Sequence, residues 1–531
     1  MHYDYIVIGA GSAGCVMANR LSADPRRRVL LLEAGGKDSN FWIHVPVGFQ
    51  KLITHPTLNW NFETEPEDNV KGRRIPIPRG KVLGGSSSIN GMLYVRGQAL
   101  DYDVWAQLGN QGWSYADVLP YFKKAEHFER GGDDIRGGDG PLNVVDMYEK
   151  HEMIDAFIEA GVECGYERNP DYNGARQDGF GYYQVTQRDG KRHSTAAAYL
   201  DPVRDRPNLD IVTHARARNL ILEGKRVVGV RYDVNGQTHE ARAAGEVVVS
   251  AGAVQSPQIL ELSGIGAPTV LKANGVDVAH ALPGVGENYR DHYAARFAWR
   301  VKQPITLNEH TRGLHIVREV LKYAFTRRGI LTFAAGIGHG FVRSRPELET
   351  PDCQFFFAHG SFDANTRAFD REPGMTIGVY QCRPESQGSI HIGSPDPFAA
   401  PKIRPNFLSQ QLDCDALLGG MKIARQVGEA RALAKYRGDE FKPGPDCRSD
   451  EELMDYARET GATTYHVMGT CKMGPDGDPM AVVDTRLRVR GLDGLRVVDA
   501  SVMPTMPSGN INAPVIMVAE KAAEMMIEDA A

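Results

Sequence analysis

The sequence predicts an α/β fold, α+β overall, with two parts. A short apolar run, Tyr5–Ile8, breaks into the glycine-rich turn Gly9–Gly14, and a helical stretch then leads to a second apolar run, Val29–Leu32. This order of strand, glycine turn, helix and strand is typical of a Rossmann-like domain. The stretches 208–249 and 291–455 contain further runs that predict strands. We therefore expect a Rossmann-like domain with an added antiparallel hairpin, and a second domain built on an antiparallel sheet.

The glycine turn and the acid after the second strand predict a dinucleotide site. Gly9 permits the tight turn, Gly11 lets the backbone approach a pyrophosphate, and Gly14 lets the helix lie close to the strand. Glu33 follows Gly14 by nineteen residues, where an acid accepts hydrogen bonds from the adenosine ribose hydroxyls. A turn without a ligand would leave the glycines and the acid unexplained. The motif leaves NAD and FAD equally open.

Composition and charge exclude several classes of partner. The 531 residues carry a net charge of −6, which argues against a nucleic-acid partner. No polybasic run indicates a membrane surface, and no apolar stretch is long enough for a membrane-spanning helix. The first strand begins without a leader segment, so we expect a cytoplasmic protein. The seven cysteines are scattered without a CxxC pair, and no metal site is expected.

A second glycine- and serine-rich stretch, Gly84–Ser88, is flanked by Val82, Leu83 and Ile89. Its small residues cannot form a core, but they expose backbone N–H groups and hydroxyls. A loop of this kind wraps a polar cofactor such as a pyrophosphate or a ribityl chain. A flexible linker is the alternative interpretation. The apolar flanks favour the cofactor loop, because they would anchor both ends.

The sequence predicts where two later helices begin. In the stretch Gly252–Leu260, Ser256 is the expected N-cap with Pro257 at the first helical position, and the helix should stop near Ser263. The last helix is expected from Pro514 to about Ile527, capped by Asn512 or Ala513. The dipole of this last helix would suit the electron-rich pyrimidine edge of a flavin.

The chain closely resembles the glucose–methanol–choline (GMC) family of FAD-dependent oxidoreductases. One family signature runs from Gly80 through Gly84-Gly85-Ser86-Ser87, Asn90, Tyr94 and Gly97 to Asp103, and the other is Gly252–Gly266. The N-terminal glycine motif and the segments at His466 and at Asn510-Ile511-Asn512 match as well. The resemblance covers nearly the whole chain, and it is strongest to bacterial choline and long-chain alcohol dehydrogenases.

The resemblance implies FAD as the cofactor and an active-site pair over the flavin. His466 is its histidine, and Asn512 is the expected partner, with Asn510 as the alternative. In some family members FAD is attached covalently to a histidine in the first signature. Ile89 occupies that position here, so a non-covalent FAD is expected.

The resemblance also implies a set of residues around FAD. Asp499 would bond the ribityl or pyrophosphate region, and the backbone of Ala217 would contact the adenine. The full set of expected cofactor residues is Gly9, Gly11, Ser12, Ala13, Gly14, Glu33, Ala34, Val82, Gly84, Gly85, Ser86, Asn90, Gly91, Met92, Leu93, Ala217, Ala251, Asp499, Ala500, Asn510, Ile511 and Pro514. The discontinuous FAD-binding domain is expected to comprise residues 1–40, 75–100, 200–290 and 460–531. The substrate-binding domain and its covering segments would comprise 41–74, 101–199 and 291–459.

The resemblance implies oxidation of a primary alcohol to an aldehyde. His466 would abstract the hydroxyl proton, and the hydride would pass to flavin N5. The reduced flavin would then deliver electrons to a quinone, a carrier or O₂, the last making the protein an alcohol oxidase. A lyase or photodecarboxylase on the same scaffold is a further alternative, since Cys382 lies in the expected substrate region. A homo-oligomer is left open.

Overall fold

The computed structural model describes residues 2–362 and 369–530. Within these two ranges, fourteen strands form two large sheets of seven strands each. In chain order these strands are β1 His2–Ile8, β2 Val29–Leu32, β3 Gly179–Tyr182, β4 Leu209–Val212, β5 Ala215–Glu223, β6 Arg226–Val234, β7 Gln237–Val249, β8 Tyr293–Val301, β9 Gly338–Val342, β10 Cys353–Ala358, β11 Gly374–Gln381, β12 Arg437–Lys442, β13 Ala462–Thr463 and β14 Leu495–Val497.

The first sheet has the order β4-β2-β1-β7-β6-β5, and β14 pairs with β7. Strands β4, β2, β1, β7 and β14 run parallel, whereas β5, β6 and β7 form an antiparallel meander. The Rossmann-like unit and the added antiparallel strands are therefore both present, as the sequence predicts. The strand β2 is buried at every residue, because a central parallel strand is covered on both faces.

The second sheet is antiparallel throughout, with the order β12-β8-β11-β10-β9-β3 and β13 beside β8. This confirms the predicted antiparallel sheet. Six of its strands come from the segments expected to form the substrate-binding domain. The seventh, Ala462–Thr463, comes from residues 460–531, which were expected in the FAD-binding domain. Strand β11 is buried along its whole length, so the sheet forms the centre of its own core.

The part of the chain that the structure describes contains nine longer helices: α1 Ser12–Leu21, α2 Ala99–Gln107, α3 Tyr115–Ala125, α4 Glu152–Glu163, α5 Gly252–Leu262, α6 Gly313–Thr326, α7 Gln411–Glu429, α8 Asp450–Thr460 and α9 Asn512–Asp529. Shorter α-helices are Phe41–His44, Phe49–Leu52, Pro268–Ala273 and Leu307–His310, and 3₁₀ or π turns lie at Pro46–Gly48, Asp68–Val70, Gly85–Ser88, Ala196–Leu200, Ile330–Thr332, Arg431–Leu433 and Ala500–Val502.

The other strands of the described residues are short and form small separate sheets. They pair Phe62–Glu63 with Pro76–Ile77, Leu142–Asp146 with Glu126–Phe128 and Gln184–Val185, Gln187–Arg188 with Lys191–Arg192, Ile265–Gly266 with His280–Ala281, and Ser389–His391 with Lys402–Arg404. Helices α1 and α9 pack against each other. The first and last parts of the chain therefore meet beside the glycine turn.

The expected start of α5 was wrong. The helix begins at Gly252, and Ser256 lies inside it, where its hydroxyl donates to Asp499 Oδ2 at 2.5 Å. Pro257 is also internal and cannot donate to the carbonyl of Ala253, four residues earlier. The hydroxyl of Thr470 donates to that carbonyl at 2.6 Å instead. A tertiary contact thus satisfies the acceptor that the proline leaves free, and the helix ends at Ser263 as predicted.

The start of α9 also differs from the prediction. The helix begins at Asn512 itself, with Ile511 in the N-cap position and no side-chain cap, and it extends to Asp529. Neither Asn512 nor Ala513 is the cap. Pro514 lies in the first turn, where its missing N–H costs no helical hydrogen bond.

Across the two described ranges, no helix combines the length and the apolar composition that a membrane crossing requires. The same residues contain no cluster of three or more His, Cys, Asp or Glu side chains suited to a metal ion.

Candidate active site

A single cavity of about 970 Å³ connects the glycine turn of the first sheet with the face of the second sheet. This is near the upper end of the volume of small-molecule sites. Most of the expected cofactor residues line it: Gly9, Gly11, Ser12, Ala13, Glu33, Ala34, Gly85, Ser86, Asn90, Gly91, Met92, Leu93, Ala217, Ala251, Asp499, Ala500, Asn510 and Ile511. Residues remote in sequence therefore share one elongated site.

The glycine turn has the geometry that its sequence predicts. Gly9 has φ +98°, a value that favours glycine. A Cβ on Gly14 would lie 1.8 Å from the carbonyl oxygen of Gly9, so α1 can approach β1 only because this residue is a glycine. Gly14 itself is not among the cavity-lining residues. A Cβ on Gly11 would meet no atom within 4 Å, because this residue faces the open cavity.

Glu33 lies at the end of β2 with its carboxyl group held by two backbone donors. Its Oε2 accepts from the N–H of Ala10 at 2.9 Å, and its Oε1 accepts from the N–H of Gly35 at 2.8 Å. Burial raises the pKa of this carboxyl to about 7. Each oxygen has a second lone pair, so the group can still accept from hydroxyls in the cavity.

The Gly84–Ser88 stretch forms a buried 3₁₀ turn against the glycine motif, not a flexible linker. A Cβ on Gly85 would lie 2.6 Å from the Cα of Gly11, so the two glycine-rich loops touch. Two expected cofactor residues of this region do not line the cavity. Gly84 donates its N–H to the carbonyl of Ala10 at 2.8 Å, and the Val82 side chain packs with Ile43, Leu52 and Ile89. Their roles are to position the loop.

Asp499 follows β14 and holds the start of α5. Its Oδ2 accepts from the backbone N–H of Gly252 at 2.9 Å in addition to Ser256, and its Oδ1 accepts from the N–H of Ser501 at 2.8 Å. Burial raises the pKa of this carboxyl. Asp499 lines the cavity, whereas Pro514 is absent from its lining. The first turn of α9 reaches the cavity through Asn512 and Val515 instead.

His466 is the buried histidine of the cavity, and it contacts three polar side chains. Its Nε2 lies 2.9 Å from the amide nitrogen of Asn510. Its Nδ1 lies 2.8 Å from Nδ1 of His292 and 2.9 Å from the hydroxyl of Thr464. The other nitrogen of His292, Nε2, lies 2.7 Å from the carbonyl oxygen of Cys382.

These contacts define the tautomers of both histidines. The carbonyl of Cys382 can only accept, so Nε2 of His292 carries a proton and its Nδ1 accepts. Nδ1 of His466 then donates to His292. The amide nitrogen of Asn510 can only donate, which requires that Nε2 of His466 carries no proton and accepts with its lone pair. The lone pair is therefore on the nitrogen beside Asn510, on the cavity side.

Burial keeps both histidines neutral. Burial lowers the pKa of His466 well below its ordinary value, and His292 and the Arg79 guanidinium lower it further. Burial lowers the pKa of His292 to about 4. The backbone of His466 is fixed separately, because its N–H donates to Oδ1 of Asp291 at 2.8 Å. The imidazole is held as a neutral proton acceptor.

The contact with His466 is made by Asn510, not by Asn512, which the sequence analysis preferred. The side-chain oxygen of Asn512 accepts from the Ser12 hydroxyl at 2.7 Å, which joins α9 to the glycine turn. The side-chain oxygen of Asn510 faces Gln354, whose amide donates to it at 3.2 Å. Both asparagines line the cavity, but only Asn510 touches the histidine.

Sequence reasoning missed His292, Thr464 and Gln354 as neighbours of the active-site pair. His292 is 174 residues from His466 and lies in a stretch without a recognisable catalytic pattern. Cys382 was expected in the substrate region, but its side chain is fully buried and does not line the cavity. Its contribution is the backbone carbonyl that orients His292.

The part of the cavity beside the second sheet is lined by aromatic and cationic side chains. Tyr183, Phe356 and Tyr380 line it, together with Arg296 and Lys442. The Arg296 guanidinium lies over the Phe356 ring, 5.6 Å from its centroid. Among the described residues of the lining, the carboxylates are Glu33, Asp499 and the exposed Glu459.

The lining residues fit an extended FAD. A ribose acceptor (Glu33), an open glycine (Gly11) and the serine loop (Ser86) lie along one cavity that ends at His466. The absence of any side chain at Gly11 leaves room for a phosphate group close to the backbone. These residues would hold the ADP half, and the residues from Asn90 to Leu93 and from Asn510 to Asn512 would hold the flavin half.

A matched pair of variants separates this role from a packing role. Gly11→Ala should lower the stability of the apoprotein by no more than about 1 kcal/mol, since its Cβ has open space and only the N-cap residue of α1 changes. It should weaken FAD binding about tenfold or more through a displaced phosphate contact. Gly14→Ala should instead destabilise the fold by about 1–3 kcal/mol through overpacking. Titration of the apoproteins with FAD and calorimetry measure both effects. If Gly11→Ala binds FAD as tightly as the wild type, the pyrophosphate does not lie against Gly11.

Comparison with known proteins adds a consistent set of relatives. Two GMC oxidoreductase family models match, one over residues 3–294 and the other over residues 384–519. The chain is 42% identical over 528 residues to an oxygen-dependent choline dehydrogenase of Vibrio vulnificus, covering 99% of this chain and 94% of the relative. It is 43% identical over 532 residues to an alcohol dehydrogenase (acceptor) of Pseudomonas putida, covering 99% and 96%.

Solved structures share the whole fold. Pyridoxine 4-oxidase from Mesorbium loti superposes with a TM-score of 0.90 at 31% identity, over 98% of each chain. A formate oxidase from Aspergillus oryzae RIB40, studied for modification of its FAD, superposes with a TM-score of 0.92 at 25% identity, over 99% of this chain and 98% of the other.

Proposed function

The chain belongs to the GMC oxidoreductase family, whose relatives here act on CH–OH donors, and we propose that it oxidises a neutral primary alcohol to an aldehyde with FAD. The single observation that carries the proposal is the unprotonated Nε2 of His466, which accepts from the amide of Asn510 inside the cavity of the dinucleotide residues. When bound, FAD supplies the acceptor for the hydride.

The protein residues prepare the alcohol by removing its proton. A carbinol releases hydride readily only when its hydroxyl proton has left, so a base must contact that hydroxyl. His466 is neutral and its Nε2 accepts, which makes it the proposed base. The amide of Asn510 donates toward the same point and would bind the alcohol oxygen as it gains negative charge. An alcohol oxygen that enters between the two groups would replace their direct 2.9 Å hydrogen bond. Its hydroxyl would donate to Nε2 and its oxygen would accept from the amide, which fixes its position and orientation.

His292 and Thr464 are positioning residues in this proposal. His292 accepts from Nδ1 of His466 and so keeps the base tautomer on the cavity side. The carbonyl of Cys382 accepts from Nε2 of His292 and so fixes the tautomer of His292. Because His292 is buried and held by this carbonyl, the imidazole of His466 need not reorient when the alcohol arrives.

We further propose that FAD is held without a covalent bond. Ile89, at the position of the family's attachment histidine, lines the cavity with an apolar side chain that cannot form such a bond. Acid precipitation of the purified protein should release the yellow cofactor into the supernatant. Colour retained in the precipitate would contradict this proposal.

The charges in the cavity favour a neutral alcohol over choline. A quaternary ammonium is attracted by aromatic faces and carboxylates and is repelled by like charges. Here a guanidinium, that of Arg296, lies over the Phe356 ring, and Lys442 adds a second cation. Of the described lining carboxylates, Glu33 and Asp499 belong to the dinucleotide side and Glu459 is exposed. A cationic substrate would therefore be repelled from this part of the cavity.

Anaerobic flavin reduction tests the function directly. Mixing the yellow holoenzyme with 1-alkanols or benzyl alcohol should bleach the visible flavin band, whereas choline at the same concentration should bleach it at least about tenfold more slowly, because a like-charge contact disfavours it. The failure of every primary alcohol would contradict alcohol oxidation, and equal rates with choline would contradict the charge argument. Reoxidation by air compared with a quinone analogue separates an oxidase from a dehydrogenase.

A further inference from the structure

Helix α6, Gly313–Thr326, presents apolar side chains to solvent. Leu314 and Phe325 are 86% and 85% exposed, and Val317 and Leu321 are each 53% exposed. These four positions share one face of a helix with 3.6 residues per turn, because 317 lies three residues after 314, and 321 and 325 follow at steps of four. An exposed leucine is ordinary, but a contiguous exposed apolar face indicates an interaction surface.

The opposite side of α6 makes the contacts with the rest of the protein. Tyr323 is buried with Val45 and Leu331, and its hydroxyl donates to the carbonyl of Gly190 at 3.0 Å. Ile316 packs against the same cluster. The helix is therefore fixed in rotation by its inner side, and the apolar outer face is a stable feature of the fold.

Cations surround this apolar face. Residues 312–328 contain five Arg or Lys residues and one acid, Glu319, although the whole chain has a net charge of −6. Lys322 pairs with Glu149 at 3.4 Å. The others are Arg312, Arg318, Arg327 and Arg328, all exposed. The guanidinium groups of Arg327 and Arg328 lie over the rings of Tyr323 and Tyr148, at 5.1 and 4.3 Å, so they are held at the helix end.

We propose that α6 docks the protein on an anionic lipid bilayer surface, with its apolar face in the headgroup region and its arginines against lipid phosphates. An apolar face bordered by Lys and Arg is the composition of interfacial helices. Each cation near an anionic leaflet adds to the attraction. A second copy of the chain is a poorer occupant, because two copies of this basic region would repel each other. The helix lies on the membrane and does not cross it.

Two short stretches of chain link the docking helix to the wall of the cavity. Its inner cluster includes Val47 and Ile330, whereas Phe49, two residues after Val47, and Ala335, five residues after Ile330, line the cavity. If the proposed function holds, a bilayer at α6 supplies apolar alcohols or a quinone near the active site. The docking itself does not depend on the activity, so the two proposals can fail separately.

Vesicle sedimentation of the holoenzyme tests the docking. The protein should pellet with vesicles of phosphatidylglycerol and phosphatidylcholine, less with phosphatidylcholine alone, and less again at 0.5 M NaCl, as screening requires. The double variant Leu314→Asp/Phe325→Asp should lower the partition coefficient about a hundredfold, since the two most exposed apolar side chains of the α6 face are lost. Anaerobic flavin reduction by a short, water-soluble alcohol should be unchanged in this variant.

A matched control changes two exposed apolar residues on other helices, Leu412→Asp/Ile527→Asp, which are 43% and 52% exposed. This variant should sediment like the wild type. The proposal is overturned if the wild type stays in the supernatant with anionic vesicles at low salt, or if the α6 variant and the control sediment equally. It is also overturned if light scattering finds a wild-type dimer that the α6 variant converts to a monomer, because the face then binds a second copy.

Discussion

Replacing His466 with alanine lowers the rate of anaerobic flavin reduction by a primary alcohol about 10²–10⁴-fold, the range expected for the loss of a general base. The cofactor should remain bound, because the dinucleotide residues from Gly9 to Glu33 and from Gly85 to Leu93 are untouched. Stopped-flow absorbance measures the rate, and the flavin-to-protein absorbance ratio measures occupancy.

The control for this variant is His239→Ala, which removes an exposed histidine on β7. It should reduce its flavin at the wild-type rate. Near-normal reduction in His466→Ala would remove this residue from the mechanism, whatever its position in the cavity.

The same base should give a characteristic pH profile. The pKa of His466 is held well below its ordinary value of 6.5, so the imidazole stays neutral as the pH falls through 6.5. The reduction rate at low alcohol concentration, which reports the free enzyme, should therefore stay constant there. A loss of rate with a midpoint near 6.5 would contradict the expectation that His466 stays neutral through this pH range.

Replacing Asn510 with alanine should lower flavin reduction about 10²–10³-fold, the cost of losing one preorganised donor to a developing oxyanion. Asn510 is the residue whose amide points at Nε2 of His466, 2.9 Å away. Asn512→Ala serves as the matched variant, two positions along the chain. The Asn512→Ala variant loses the 2.7 Å side-chain contact with Ser12, so its flavin reduction rate should fall less than about tenfold. The fraction of FAD that this variant retains shows whether the glycine turn has loosened.

The flavin reduction rates of the two asparagine variants distinguish the two candidate partners of His466. If Asn512→Ala is slow and Asn510→Ala is near normal, Asn512 is the partner of His466 and the assignment of Asn510 is wrong. An equal and small effect in both would mean that neither amide binds the reacting oxygen.

The dinucleotide end of the site was predictable because its determinants are local. Gly9, Gly14 and Glu33 lie within one strand–turn–helix–strand unit, and hard-sphere contacts such as that of Gly14 with the Gly9 carbonyl restrict them directly. Local reasoning failed where tertiary contacts replace local ones. Ser256 was expected to cap α5, but its hydroxyl donates to Asp499 instead. The carbonyl of Ala253, which Pro257 leaves without a helical donor, accepts from the hydroxyl of Thr470.

By itself, the sequence determined a Rossmann-like nucleotide fold, an antiparallel second sheet and His466 as the candidate base. Only the tertiary structure decided which asparagine meets that base, since side chains two positions apart at a helix start point in different directions. Only the tertiary structure shows that His292 contacts His466, which is 174 residues away in the sequence. It alone showed that α6 turns its apolar face outward. A sequence gives the periodicity of a face, but the packing of the whole chain decides which face is buried.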